Sequence, residues 1–406
     1  MSETTTRQER FPGRVGVFGS LCAMVFLVNL GRVIYAPLLE PFRTTFDASA
    51  GAVGLLATLA WVGSASLLIP TGYLLTRVPR HWVVLASGGI LAAASAFAAT
   101  AANLEALYAG ALCMGVASGA YFVAANPLVS ELFPARVGRA VGVHGMSSQT
   151  AAVVAPLLVG AFFALTWPIA AWRALFLAIS VVTVGATVVF FVAARRATLP
   201  TAGRSDQDLL AALRRQWPII VTAVAIVGLA GLVWNGVFNF YVTYLVEAKG
   251  LSASYSRTLL TLLFLAGVPS FALTGWIADR VPFLPLLHVI VGAFVCSLLA
   301  LTVVQSGWSI LLVTAILGFA IHGVFPASDT YVLASVPDEN RASAYALFIG
   351  LMMPIQATGS AILGALVDAG VGFDEAFRLF AVAISVVLLV LVALTAAGRL
   401  PTGENG

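Results

Sequence analysis

Charge is what this 406-residue chain has least of: Asp, Glu, Lys and Arg together make up 9%, against roughly 25% in a soluble domain. An ordinary soluble globular protein is thereby excluded. Lysine is nearly missing, Lys249 being the only one. The formal net charge of +4 does not point to nucleic acid, because the basic residues sit in short loops between hydrophobic runs. Three cysteines, Cys22, Cys113 and Cys296, each fall inside such a run. None has a CxxC partner or a histidine at ligand spacing, so neither a disulfide framework nor a zinc site is expected. The histidines, His81, His144, His288 and His322, are scattered, and HExxH, clustered intramembrane carboxylates and a Gly-x-x-x-x-Gly-Lys loop are all missing. An enzyme, intrinsic ATP hydrolysis, a metal and a cofactor are therefore not expected. Repeated carboxylate rings or carbonyl filters of a channel are lacking too, and the loops are too short for a soluble signalling domain.

What is present is apolar: 60% of the residues are hydrophobic. Runs of spanning length occur at about 15–37, 50–75, 82–101, 105–132, 140–165, 173–194, 217–245, 254–278, 285–304, 308–334, 342–367 and 376–397, each near the 20 or so residues a bilayer needs. The sequence predicts an all-α integral membrane protein of twelve transmembrane helices. The polar segment 1–14 leads straight into the first run, too long for a signal-peptide core, so an uncleaved first span is expected. With the N-terminus inside, Arg32, Arg43, Arg173, Lys249, Arg257 and Arg378 fall on or near the outer side. The other fifteen of the 21 basic residues fall inside, as the positive-inside rule requires. A multi-pass protein of the cell membrane with both termini cytoplasmic is the expectation.

The second half repeats the first at an offset of about 203 residues. Thr71-Gly72-Tyr-Leu-Leu-Thr76-Arg77-Val78-Pro79 matches Thr274-Gly275-Trp-Ile-Ala-Asp279-Arg280-Val281-Pro282. The same shift carries Gly115 onto Gly318, Phe122 onto Phe325 and Pro134 onto Pro337. Two six-helix bundles follow, 1–194 and 217–406, joined by a hydrophilic cytoplasmic linker over 195–216. A repeat of this kind puts a binding site at the seam of the bundles near mid-bilayer.

Twelve spans in two sixes, the central linker and a Gly-x-x-x-Asp-Arg element in each half resemble the major facilitator superfamily over essentially the whole chain. The first loop copy has Thr76 where the family has Asp; the second keeps Asp279 but loses the later basic residues. The Glu131-Leu-Phe-Pro134-Ala-Arg136 turn after span 4 is also similar. Ala111 stands where proton-coupled drug exporters of the family carry an arginine, and the glycine-proline motif of span 5 is reduced to Ala155-Pro156-Leu-Leu-Val-Gly160. The resemblance implies a cytoplasmic gate built from Gly72, Arg77, Glu131, Arg139, Gly275, Asp279, Arg280 and Arg341. Glycine would let helices approach, and Asp279 would accept from N–H groups at the start of span 5. Thr76 would act likewise, more weakly, near Arg341.

The resemblance also implies that spans 1, 4, 7 and 10 line a central cavity. Each carries a polar residue related by the repeat: Arg32 to Asn235, and Asn126 to Asp329. An ionic group at bilayer depth costs at least roughly 2.5–3.5 kcal/mol and so faces a cavity or a partner. Arg32 lies about 12 Å inside the outer end at 1.5 Å per residue. Asn29 precedes it by one helical turn and Tyr35 follows by one, a set suited to an oxyanion. The alternative is that Arg32 snorkels outward to pair with Glu40. Asn235 and Asn239, with Trp234 and Phe238, would complete a substrate site, and His144, Gln149 and Gln356 are further cavity candidates. Asp329 and His322 share a face of span 10 and are the expected proton-coupling residues; packed hydrogen bonders are the alternative. The expected function is alternating-access, proton-coupled symport of a small organic anion; the alternative is proton-driven efflux of an amphipathic or drug-like compound. Expected partners are that solute, H⁺ and the lipid bilayer, with no nucleic acid and the chain monomeric.

Overall fold

A computed structural model describes residues 13–133, 136–199, 209–278 and 280–398. In chain order the helices are α1 (Arg14–Val33), α2 (Leu39–Phe46), α3 (Ala50–Ser66), α4 (Leu68–Leu74), α5 (Arg80–Thr100), α6 (Leu104–Leu132), α7 (Val137–Ala164) and α8 (Ala171–Arg195). They continue with α9 (Leu209–Ala223), α10 (Leu229–Glu247), α11 (Ala253–Leu265), α12 (Gly267–Ala278), α13 (Phe283–Val303), α14 (Gly307–Ser335), α15 (Asp338–Ala357), α16 (Gly359–Asp368) and α17 (Phe373–Ala396). Backbone polar groups cannot be left open in hydrocarbon, and a helix satisfies them within one segment. Among the described residues, eleven helical stretches are long and apolar enough to cross a membrane. The remaining expected span, 254–278, is also helical but broken between α11 and α12. The chain is a multi-pass membrane protein.

Both second spans break for the same reason. Pro70 and Pro269 carry no N–H and crowd the carbonyl four residues back. Those carbonyls belong to Ser66 and Leu265, the last residues of α3 and α11.

The molecule divides into two compact units, Met1–Leu38 with Leu59–Ser205, and Leu39–Thr58 with Asp206–Gly406. Equivalent contacts hold each unit. In the first, a Cβ on Gly115 (α6) would overlap the Ala60 carbonyl of α3; in the second, a Cβ on Gly318 (α14) would overlap the Leu263 carbonyl of α11. Both members of each pair are related by the repeat. Small residues at these crossings let the backbones touch, which is how helices bind one another in lipid.

A cation closes the C-terminus of the third span in each unit, where carbonyls lack helical partners. Arg173 at the start of α8 donates from Nη1 to Ala99 O and from Nη2 to Ala101 O, both at 2.7 Å, at the end of α5. At the corresponding end of α13, Lys249 Nζ donates to Thr302 O at 3.1 Å, and Arg378 Nε to Thr302 Oγ1 at 3.0 Å. The Lys249 side chain is fully buried and pairs with Asp374 at 3.1 Å. The faces left open are apolar: α8 exposes Val181, Val182 and Val188, and α17 exposes Val386 and Leu389, the pattern of helices facing hydrocarbon rather than water.

Candidate functional site: an arginine nest in the first unit

Arg32 lies one residue before the end of α1 and is half-buried. Its Nη2 donates to Asn29 Oδ1 at 2.7 Å, one turn back on the same face. Its guanidinium carbon stands 4.1 Å from the Trp61 ring centroid on α3 and 5.4 Å from that of Phe122 on α6. Nη1 makes a long contact to Ser64 Oγ, 3.5 Å, and Nε is without a partner among the described residues. Asn29 is itself fixed, Nδ2 donating to Ser148 O on α7 at 2.7 Å. Among the described residues no carboxylate pairs with Arg32. An aromatic face thus holds the plane of the guanidinium, an amide fixes one edge, and several of its five N–H donors remain for an acceptor.

The other residues expected to bind substrate are placed as follows. The α-helical geometry of α1 stops at Val33, so one-turn spacing does not carry to Tyr35. That residue is buried and its hydroxyl donates to Met114 Sδ at 3.2 Å. Asn126 is exposed on α6. Asn235 and Asn239 are buried in a tie between α10 and α16. Ser360 Oγ donates to Asn235 Oδ1 at 2.8 Å and accepts from Asn239 Nδ2 at 2.9 Å. A buried amide pair locked in this way acts first as a helix fastener.

His322 on α14 is buried, and its Nδ1 donates to Gly318 O at 2.7 Å. Trp234 and Phe264 meet its ring edge-on at centroid distances of 5.1 and 6.0 Å. Asp329 lies two turns further along the same helix; its side chain is outside the described residues. In the first unit, Tyr121 OH donates to Leu21 O at 2.7 Å and stands 3.1 Å from His144 Nε2. Since the hydroxyl has one proton, already given to Leu21, Nε2 of His144 must carry the hydrogen. His144 and Tyr121 therefore fasten α7, α6 and α1 to one another.

In the loop elements, Arg77 lies over Tyr73 at 4.9 Å and Arg280 over Trp276 at 3.9 Å, equivalent positions in the repeat. Each arginine, in the turn just past the helix, folds back onto an aromatic residue four positions earlier in the last turns of α4 or α12. No close approach is seen at Gly72: among the described residues, nothing lies within 4 Å of a Cβ built on it. Glu131 pairs with Arg80 at 3.1 Å, joining the end of α6 to the start of α5, and Arg139 is exposed. Asp279 lies outside the described residues. Gly275 and Arg341 are placed on α12 and α15, with their side-chain surroundings outside them.

One polar cluster of the second unit escaped the sequence reading. Asp368, last residue of α16, accepts from Ser49 Oγ at 2.7 Å and from Gly51 N at 2.9 Å. It thereby caps the N-terminus of α3, as a carboxylate does best. Thr58 Oγ1, two turns along α3, accepts from Ala361 N at 3.0 Å. In the same unit Arg43 of α2 pairs with Glu247 at the end of α10. Burial pushes the Glu40 carboxyl above its ordinary range; Arg43 opposes the shift and Glu247 adds to it. An acid at the end of an apolar run looks like any loop charge, so only the fold reveals Asp368 as a cap.

The family model of the Major Facilitator Superfamily matches residues 21–353, and the chain belongs to that superfamily. No curated protein matches it in sequence. Among solved structures, a bacterial homologue of the human lysosomal transporter Spinster, inward-facing and occupied, superposes with TM-score 0.80 at 18% identity, covering 96% of this chain and 97% of the other. The nucleoside transporter NupG gives 0.78 at 13% identity, covering 93% and 99%. A D-xylose-proton symporter gives 0.76 at 14%, covering 97% and 99%. At these identities the likeness is one of fold. Membership makes the chain a transporter rather than an enzyme.

Proposed function

We propose that the protein carries a small organic anion across the cell membrane by alternating access, together with a proton, and that Arg32 is the anion's anchor. The observation that carries this reading is the Arg32 guanidinium, half-buried, stacked on Trp61 and held by Asn29, with no carboxylate partner among the described residues. An anion supplied from solution would complete the charge pairing that the protein leaves open. Proton coupling is assigned to Asp329, with His322 on the same helix; the presence of a proton symporter among proteins of this fold supports it. The excess of arginine in the loops that join the N-terminal side of the spans supports cytoplasmic termini. Aromatic residues of α10 that an amphipathic drug would need are spent on packing, Trp234 and Phe238 lying against Phe264.

The test is binding and transport with the purified full chain. Lactate, benzoate and inorganic phosphate are screened by thermal shift, and any that stabilises the wild type is followed into proteoliposomes with an inward proton gradient. Arg32→Ala is expected to abolish the shift, whereas Asp329→Asn keeps the shift and loses accumulation against a gradient. Accumulation of an anion by Arg32→Ala at the wild-type rate would overturn the assignment.

A further inference from the structure

Where α5 begins and α8 ends, a shallow groove of about 90 Å³ opens on the first unit, walled by His81, Trp82 and Leu85 from α5 and by Phe191, Ala194 and Arg195 from α8. It lies at the strongly basic end of that unit. Gly13, preceding α1, abuts Ala197, and Arg14 lies over Phe133, just past the end of α6, at 5.5 Å, so the starts of α1 and α5 and the ends of α6 and α8 share this end. Arg14, Arg77, Arg80, Arg195 and Arg196 are found here. Glu131, the acid beside them, is paired with Arg80.

Among the described residues, no carboxylate lines the groove. Arg195 is exposed and lies over Phe191 at 5.5 Å, and no ion pair engages it among the described residues. Trp82 is exposed, as an amphipathic ring at a membrane surface is. From Arg195 an apolar track runs down α8 into the span: Val192, Val188 and Val184 follow at helical steps, and all three are exposed. A cationic head, an aromatic rim and an oily track are the complement of one kind of molecule.

We propose that this groove binds the phosphate headgroup of an anionic phospholipid, with one acyl chain along the valine track of α8. A lone arginine beside a histidine is too weak a trap for a hydrated phosphate drawn from water, yet a lipid already concentrated in the bilayer needs little more. One basic residue at a lipid surface contributes about fivefold in affinity, the equivalent of about 1 kcal/mol. The apolar track adds a term that free phosphate cannot use.

Native mass spectrometry of the full chain with phosphatidylglycerol or phosphatidylcholine tests this. The wild type is expected to retain phosphatidylglycerol in preference, Arg195→Gln to lose about fivefold of that preference, and Arg196→Gln, whose side chain does not line the groove, to keep it. Melting temperatures without lipid should be alike, since both arginines are exposed. Equal retention in Arg195→Gln would overturn the site. Equal loss in Arg196→Gln would reduce it to diffuse surface charge and overturn it as well. Displacement of the lipid by inorganic phosphate would assign the groove to a free anion and overturn the lipid as its occupant.

Discussion

Arg32 and Trp61 form a stacked pair: the guanidinium carbon stands 4.1 Å from the indole centroid, close enough for the ring's negative face to hold the cation in a fixed plane. The stack orients the donor edge without using up its N–H groups. Replacing Trp61 by alanine would free the guanidinium to rotate and remove a contact worth about 0.5–2 kcal/mol. The expected result is anion binding weaker by about 2- to 30-fold, with Trp61→Phe recovering most of it. Titration calorimetry with whichever anion stabilises the wild type measures this. Lysine at position 32 is expected to fail even though it keeps the charge, because it lacks the planar fork.

The two helix crossings at Gly115 and Gly318 make a paired prediction. A methyl group at either would overlap a neighbouring carbonyl oxygen, and backbone cannot step aside as a side chain can. Gly115→Ala and Gly318→Ala should each destabilise by about 1–3 kcal/mol or more, seen as a lowered melting temperature and loss of monodisperse protein. Gly72→Ala, facing open space, should stay within about 0.5 kcal/mol of wild type. A large effect there would return Gly72 to the close-approach role.

These cases show what sequence could and could not reveal. Hydrophobic run length was enough to locate the eleven helical stretches long enough to cross a membrane, because bilayer thickness sets it. The repeat aligned Gly115 with Gly318, and the helical turn aligned Asn29 with Arg32. Trp61 was invisible as a partner, since nothing in a sequence fixes the register between two spans. Asn235 and Asn239 had the right residue type and spacing for a ligand surface, but Ser360, more than a hundred residues away, claims both. The cap that Asp368 places on α3 is hidden for the same reason: it joins positions more than three hundred residues apart. The two clauses of Gly72's expected role, motif membership and close approach, separate only when neighbours are seen.

The buried Lys249–Asp374 pair ought to behave unlike a surface salt bridge. Lys249 Nζ is enclosed, and Thr302 O and Asp374 accept from it. Asp374→Ala would strand an ammonium group, a change that costs about 3–5 kcal/mol in a fully buried pair. Because the Asp374 side chain keeps 32% exposure, the low end of that range, about 3 kcal/mol, is expected. Lys249→Met should cost less, since the carboxylate left behind can reach solvent and still accepts from Tyr244 OH at 2.8 Å. Melting temperatures of the two single variants and the double variant, compared as a cycle, give the coupling; equal losses in both singles would contradict the account.

Glu40 gives a prediction whose sign is set by its surroundings. Burial raises its pKa above the ordinary carboxyl value of 4.5, Arg43 works against this, and Glu247 reinforces it. An acid with a raised pKa in the folded state holds its proton more tightly there than in the unfolded chain. Its contribution to stability is therefore complete below the ordinary carboxyl value and is lost as pH rises through the raised one. Glu40→Gln mimics the protonated form at every pH. The variant should match the wild type in acid and exceed it near neutrality, so the gap between their melting temperatures should open with rising pH just above the carboxylate range. Arg43→Gln, which removes the opposing charge, should widen the wild type's own loss over that window. A gap that closes as pH rises would mean that Glu40 is stabilised as the anion, and that Arg43 rather than burial dominates the α2 site.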